Sequence, residues 1–348
     1  MRRRVLAGLA IVIALAVIGY FAVDETLAPE TAALLDERKP SLPDADNAWF
    51  MLVGLTARPE ENALEFAREW TTAAREVRSA RGLEAFEARF APRRIPLPAA
   101  PTAPQSPHLG LVLKRYAALY EYQGFEEPLL GSAHSPMPYG PEYGYSWAKE
   151  RTLEKALLGG EFRGALKALW QDTDLQRRML AGSAYFHSKA LFTVTLARNY
   201  LAASAIIRAS PQNAQAEAGA LRELLSPLTA EELGIEKALA SQVRLVARAA
   251  RERGFPYSLV SRPNAAANGA ARRAREDFAE IIARMDDLEA LRRLVTLQLE
   301  ASVSRTLPPV SAPLRHDPDK QQVYFEPRSA RFRELGRDGR IAVAVPLV

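Results

Sequence analysis

The sequence predicts a mainly α-helical protein with one N-terminal transmembrane helix, a large helical domain and a small C-terminal antiparallel β element. Three observations predict this class. An uncharged apolar run lies near the N-terminus, apolar residues recur at helical spacing through the middle of the chain, and the periodicity changes to two residues near the end. The 348 residues suffice for one large domain or two modest ones.

Residues 1–23 are predicted to be a cytoplasmic tip and a membrane anchor. Arginines at positions 2–4 precede residues 5–23, which contain no charge and no proline. At about 1.5 Å per residue this run is about 28 Å long, close to the roughly 30 Å hydrocarbon core of a bilayer. The arginines favour a cytoplasmic N-terminus, so the chain is predicted to cross the bacterial inner membrane once and to place its helical domain in the periplasm. A cleaved signal peptide is the alternative, but residues 19–23 offer no small-x-small cleavage triplet.

The polar segment 24–46 is predicted to be a juxtamembrane stalk with one short helix at residues 31–38. The helical domain is predicted to follow at residues 47–306. Pro59 and the two glutamates after it predict the start of a long helix, because acidic residues favour the first turn. The proline-rich stretch 91–108 predicts an extended loop, although a domain boundary or a partner-docking segment has the same composition.

Two features within the helical domain make specific predictions. Residues 185–207 are apolar enough to suggest a second membrane span. Four polar residues, His187, Lys189, Arg198 and Asn199, favour a buried central helix instead, because a charge at mid-bilayer costs about 2.5–3.5 kcal/mol. The segment from Thr229 to Glu232 has the spacing of a capping box and predicts the start of another helix.

The C-terminal part, residues 307–348, is predicted to form an antiparallel hairpin or a three-stranded meander. Its predicted strands lie at 323–325, 331–333 and 341–345, with turn residues between them. The Asp-Gly pair at 338–339 is a strong turn signal. Because a sheet this small is marginal alone, we expect the helices to support it.

Four segments carry a resemblance to known proteins: residues 46–55 (Asp-Asn-Ala-Trp-Phe-Met-Leu-Val-Gly-Leu), 115–119 (Arg-Tyr-Ala-Ala-Leu), 317–325 (Asp-Pro, then Val-Tyr-Phe) and 336–339 (Gly-Arg-Asp-Gly). Together they resemble a group of uncharacterised proteobacterial proteins with one N-terminal membrane helix and a helical outer domain. The tail is also similar to the ending of type II secretion pseudopilins, with Lys-Gln-Gln at 320–322 in place of their Gly-x-Pro. This resemblance implies a topology and a fold, and it implies no reaction.

Composition argues against several function classes. Three of the 46 basic side chains are the arginines at 2–4, and the others nearly balance the 41 acidic ones, so no nucleic-acid partner is predicted. The chain has no cysteine, which excludes disulfides, thiolate nucleophiles and zinc–thiolate sites. It contains no Gly-x-Ser-x-Gly, His-Glu-x-x-His or Walker phosphate-loop motif. No catalytic residue, cofactor or metal is therefore predicted.

The best candidate binding element is an aromatic loop. Tyr139, Tyr143, Tyr145 and Trp147 lie among glycines and a proline. Rings held in such turns can stack on sugar faces or on peptide prolines, although rings that only cover a helical core give the same pattern.

The C-terminal arginines form a second candidate, a basic surface. They are Arg328, Arg331, Arg333, Arg337 and Arg340. Such a surface can contact anionic lipid headgroups or an acidic partner, or it can serve as a soluble face that protects a sheet edge.

Two histidines are further candidates for a functional role. His316 and Asp317 supply metal-ligand chemistry, but an Asp-Pro turn is the commoner role of such a sequence. His187 lies in the predicted central helix and is expected to be a hydrogen-bonded core histidine.

The sequence therefore predicts a membrane-anchored envelope protein that acts without catalysis, as a binding or scaffold protein with another envelope protein as its partner. A glycan- or peptidoglycan-acting enzyme with carboxylates near the aromatic loop is the alternative. An accessory role in a type II secretion-like system depends on the tail resemblance alone.

Overall fold

The structure is a computed structural model of the full chain, and it describes residues 14, 26–36, 42–95, 108–130, 136, 161–252 and 262–345. Of the predicted anchor it describes Ala14 alone, which is helical and exposed. The aromatic loop at residues 139–147 lies outside the described residues, as does most of the proline-rich stretch.

The described part of the chain is mainly helical, as predicted, and ends in a three-stranded antiparallel sheet. The helices are α1 (Pro29–Leu35), α2 (Ala48–Gly54), α3 (Ala63–Glu76), α4 (Ala80–Phe90), α5 (Leu109–Ala118), α6 (Phe162–Gly182), α7 (Phe186–Ala209), α8 (Pro211–Ala216), α9 (Ala218–Leu224), α10 (Ala230–Leu233), α11 (Glu236–Glu252), α12 (Pro263–Asp277), α13 (Ala279–Ser304) and α14 (Ala330–Arg333). The strands are β1 (Arg315–Asp317), β2 (Gln322–Phe325) and β3 (Ile341–Ala344).

Helix α7 lies at the centre of the domain, between α6 and α13. By length and composition it could cross a membrane, yet most of it is buried within the domain. Lys189 and Asn199, which predicted a buried central helix, are both inside and hydrogen-bonded. The prediction of a core histidine at His187 is wrong, because Phe186 and Ser188 point inward and leave the position between them on the exposed side of the helix.

Helix α3 begins later than the acidic residues predict. Asn62 is its N-cap, and the side-chain oxygen of Asn62 accepts hydrogen bonds from the backbone N–H groups of Leu64 (3.0 Å) and Glu65 (3.2 Å). An asparagine that satisfies two unpaired amides defines a helix start better than acidic residues do. Helices α2 and α3 then pack together and bury Trp49 and Trp70.

The predicted stalk lies against the domain in its described part. Helix α1, which replaces the short helix predicted at 31–38, packs on α11 and α12. Leu34 and Leu35 cover a small apolar cluster that includes Val243, Ala247 and Ala267. The described residues 26–36 are therefore joined to the α11–α12 pair.

The C-terminal sheet has the order β1-β2-β3, and both pairs are antiparallel. Val323 pairs with Val343, and Phe325 pairs with Ile341; these four side chains are buried in the core that includes α13. The turn before β3 places Asp338 (φ 52°) and Gly339 (φ 71°) in the left-handed region, as the Asp-Gly signal predicts.

The predicted strand at 331–333 is wrong. These residues belong to the short helix α14, whose first turn is capped by the Ser329 side chain, which accepts a hydrogen bond from the N–H of Phe332 (3.3 Å). Phe332 is fully buried, so one apolar residue between two arginines points into the core from a helix. The first strand is β1 instead, in the segment that contains His316 and Asp317.

Candidate functional site

An open groove of about 610 Å³ lies on the surface of the helical domain. It lies between the start of α11, helix α13 and the end of β2. Most of its exposed surface is apolar and includes Ile235, Ile282 and Pro313, while Met285 and Phe325 lie almost fully buried beneath it. Charged side chains line the rest of the groove. Its volume falls in the range of about 300–1,000 Å³ that is typical of ligand-binding sites.

One wall of the groove is the connection from α10 to α11. The capping box predicted from the sequence is present: the N–H of Glu232 donates to Thr229 Oγ1 (3.2 Å), and the Glu232 carboxylate accepts the N–H of Thr229. This cap starts the single turn of α10, and the chain then passes through Leu233 and Ile235 at the groove.

Lys189 supports this wall from the core below. Its side chain is 1% exposed, and its Nζ donates hydrogen bonds to the carbonyl oxygens of Glu231 and Glu232, both at 3.1 Å. Burial lowers the pKa of Lys189 to about 8. A lysine this deeply buried positions the chain that forms the groove and does not itself meet a ligand.

Asp287 holds the opposite wall. Its carboxylate is 2% exposed and accepts hydrogen bonds from the backbone N–H groups of Arg328 (2.9 Å) and Ser329 (2.8 Å). Helix α13 is thereby joined to the segment that leads into α14. Charged acceptors make the stronger class of protein hydrogen bond, so this contact fixes the end of β2 beside α13.

Most carboxylates around the groove already have partners. Asp286 pairs with Arg328 (3.1 Å), and Glu289 pairs with Arg292 (2.6 Å). Glu326 lies between Arg315 (3.5 Å) and Arg340 (3.6 Å).

Glu236 is different, since it is exposed and makes no salt bridge to a side chain in the described ranges. Across the groove, the guanidinium of Arg293 donates to Ala312 O (3.1 Å) and to Ser311 Oγ (2.7 Å). The groove thus offers an apolar surface with one unpaired carboxylate at its edge.

A second cavity, of about 320 Å³, is lined by side chains that already have partners within the protein. Arg177 lies in it and forms a bidentate pair with Glu232 (2.5 and 2.9 Å). The same guanidinium donates to Ser226 Oγ (2.6 Å) and to the carbonyl of Pro227 (2.7 Å). This arginine joins α6 to the chain before α10, so its donors are used internally.

Two other buried carboxylates also have a structural role, because they accept hydrogen bonds from neighbouring segments of the core. Asp172 accepts hydrogen bonds from the Tyr116 hydroxyl and from Asn199 Nδ2 (2.6 Å). Glu127 accepts from the N–H of Ala184 (2.8 Å) and from the Ser188 hydroxyl (2.7 Å). Both lie inside the core, where they join helices and cannot reach a substrate.

The structure spreads the five predicted basic residues over separate contacts. Arg328 pairs with Asp286, Arg331 pairs with Glu334, and Arg340 lies beside Glu326 and over the Tyr324 ring (4.8 Å to its centroid). Arg333 donates to the carbonyls of Pro327 and Arg328, and Arg337 is exposed in the turn before β3. Of the five, only Arg328 lines the groove.

The other predicted site residues lie elsewhere or outside the described chain. Tyr139, Tyr143, Tyr145 and Trp147 fall outside it. His316 is exposed on β1, and no three His, Asp or Glu side chains of the described ranges converge to hold a metal ion.

Comparisons with family models, with curated proteins and with solved structures returned no match to this chain. The resemblance to proteobacterial envelope proteins therefore stays a prediction. The groove itself was not predicted, because its lining comes from four separate stretches of sequence. Only the capping box at Thr229 gave a local signal for part of it.

Proposed function

We propose that this chain is a membrane-anchored protein of the bacterial envelope that acts by binding a partner protein, and that the groove beside α13 is its binding site. The apolar run at residues 5–23 supports the anchor, with the N-terminus in the cytoplasm and the helical domain in the periplasm. The single observation that carries the binding function is the apolar, open lining of the groove.

The chemistry of the groove favours binding over catalysis. General acid–base chemistry needs two groups that reach one reacting atom in suitable protonation states. Here Asp286, Glu289 and Glu326 are engaged by arginines, and Asp287 is engaged by backbone amides. What the groove offers a ligand is apolar surface to cover, which is the main source of affinity in protein association.

The partner is expected to be a protein segment with apolar side chains and a neighbouring cation. The apolar side chains would cover Ile235 and Ile282, and the cation would pair with Glu236. A rim charge of this kind contributes mainly to the association rate and to orientation, while the apolar contact supplies the affinity.

The test compares three forms of the full-length chain, tagged at the C-terminus and chemically crosslinked in intact cells. The forms are wild type, Ile282→Arg in the groove and Ala342→Arg on the exposed side of β3. An arginine at 282 lies one helical turn from Asp286, so the helix tolerates it. We expect one protein to co-purify with the wild type and with Ala342→Arg, and to be lost with Ile282→Arg. Equal recovery from all three forms, with unchanged melting temperatures, would contradict the proposal.

A further inference from the structure

The pair of helices α11 and α12 concentrates positive charge. From the start of α11 to the end of α12, residues 236–277, the chain has nine lysine and arginine side chains and four acidic ones, which are Glu236, Glu252, Glu276 and Asp277. The rest of the chain holds the other 37 of the 46 basic side chains and the other 37 of the 41 acidic ones, so it is neutral. The excess of positive charge is therefore confined to one element of the fold.

Several of these arginines lie on outward faces. On α11, Arg248 and Arg251 are three positions apart and both exposed, so they share one face of that helix. Arg244, one turn earlier, is half-buried and donates to the carbonyl of Asp36. On α12, Arg272 and Arg273 are both exposed. The inward faces of the two helices are occupied by the small apolar cluster that α1 covers.

The acidic side chains nearby leave three of these arginines without a salt bridge. Glu276 and Asp277 are exposed one turn beyond Arg272 and Arg273, and they form no salt bridge with them. Glu252 is shared by Arg248 (2.9 Å) and by Arg78 from the end of α3 (3.5 Å). Arg251, Arg272 and Arg273 make no salt bridge or side-chain hydrogen bond to another residue in the described ranges. Three exposed guanidinium groups are thus available to an external anion.

A side-chain clamp places this surface close to the end of the predicted anchor. Asn268, on α12 and 7% exposed, donates from Nδ2 to the carbonyl of Thr26 (2.8 Å) and accepts the N–H of Ala28 (3.1 Å). The apolar run ends at residue 23, and three residues span at most about 10 Å. Arg272 lies one turn beyond Asn268, about 6 Å along the helix.

We propose that the α11–α12 pair lies on the membrane surface, with Arg251, Arg272 and Arg273 in contact with anionic phospholipid headgroups; this inference rests on the proposed anchor. The two spans add up to about 16 Å, or about two Debye lengths at physiological ionic strength, so the arginines are attracted to the headgroups once the helix pair lies at the surface. Basic clusters next to a transmembrane helix are the usual footprint of anionic lipid binding. The contact would hold the whole domain in one orientation above the bilayer.

The test uses the full chain, which has no native cysteine, reconstituted into vesicles of phosphatidylcholine alone or of phosphatidylcholine with one-third phosphatidylglycerol. A spin label is attached at Ala249→Cys, an exposed position on α11, or at Ala342→Cys on β3 as the control. Collisions with a nickel-chelating lipid headgroup report how close each label is to the membrane. The same labels are placed in a variant with Arg251→Gln, Arg272→Gln and Arg273→Gln.

We expect the collision rate at position 249 to rise several-fold with phosphatidylglycerol and to return to the phosphatidylcholine value in the triple variant. The rate at position 342 should not rise with phosphatidylglycerol. A rate at 249 that ignores lipid composition, or a rise that the triple variant retains, would overturn the inference while leaving the anchor intact. Resistance to carbonate extraction is measured first, since an extractable chain would overturn both the anchor and this inference.

Discussion

Replacing Asp287 with alanine should release the C-terminal sheet from helix α13. The carboxylate accepts two backbone hydrogen bonds, from Arg328 (2.9 Å) and Ser329 (2.8 Å), and it is 2% exposed. A hydrogen bond to a charged group contributes about 1.5–3 kcal/mol, and an amide left without an acceptor adds a desolvation cost. Because the second amide is buried and the effects are not fully additive, we expect the free energy of unfolding to fall by about 3–4 kcal/mol.

The matched control is the neighbouring residue. Asp286 is exposed and forms a surface salt bridge to the same Arg328, which contributes about 1 kcal/mol or less. Urea unfolding of the full-length chain in detergent, followed by circular dichroism, measures both variants. If Asp287→Ala lowers the free energy of unfolding no more than Asp286→Ala does, the two hydrogen bonds do not hold the groove wall, and the role assigned to Asp287 is wrong.

Three further predictions concern the core and the N-terminal segment. The pKa of Lys189 is about 8 in the folded protein and 10.5 when the side chain is exposed. Burial of the charged form therefore opposes folding below pH 8, and this cost disappears as the pH rises from 8 to 10.5. Over that window the free energy of unfolding of the wild type should rise by about 3 kcal/mol relative to Lys189→Met, and a difference that stays constant with pH would contradict this. Gly182→Ala should destabilise the protein by about 2–3 kcal/mol, because the added Cβ overlaps a backbone carbonyl. Gly219→Ala, in open space on α9, should be neutral or stabilising by up to about 1 kcal/mol. Similar melting temperatures for the two variants would contradict this prediction. Asn268→Ala removes two hydrogen bonds that contribute about 1 kcal/mol each. Amide hydrogen exchange in α1 should therefore become at least about tenfold faster, while exchange in α7 stays unchanged. Equal exchange rates in α1 of the variant and the wild type would contradict the role of Asn268.

Local sequence signals predicted those elements whose stability is local. The capping box at Thr229 is present because its two hydrogen bonds join residues three positions apart. The Asp-Gly turn at 338 is present because few residues adopt its backbone conformation easily. Helix α7 was recognised as buried because Lys189 and Asn199 require polar partners, which a protein core supplies and a lipid bilayer does not.

Predictions failed where distant contacts decide the structure. The alternation at 331–333 fits a strand or one helical turn equally well, and the helix forms because Ser329 caps it and Asp287, 42 positions away, binds the Ser329 amide. The groove brings Ile235, Ile282 and Phe325 together through helix and sheet packing that leaves no trace in sequence spacing. The Asn268 clamp joins residues 242 positions apart and was equally invisible.

The most direct test of binding through the groove is chemical crosslinking in living cells. A thiol-reactive crosslinker is attached to a single introduced cysteine, and its second reactive group captures a neighbouring protein. The chain has no native cysteine, so Pro313→Cys at the groove edge and Ala342→Cys on the sheet can be compared without background. We expect one protein adduct from position 313, which is lost when Ile282→Arg is added, and none from position 342. Adducts of equal yield from both positions, or none from the groove while the protein is folded and membrane-bound, would contradict this expectation.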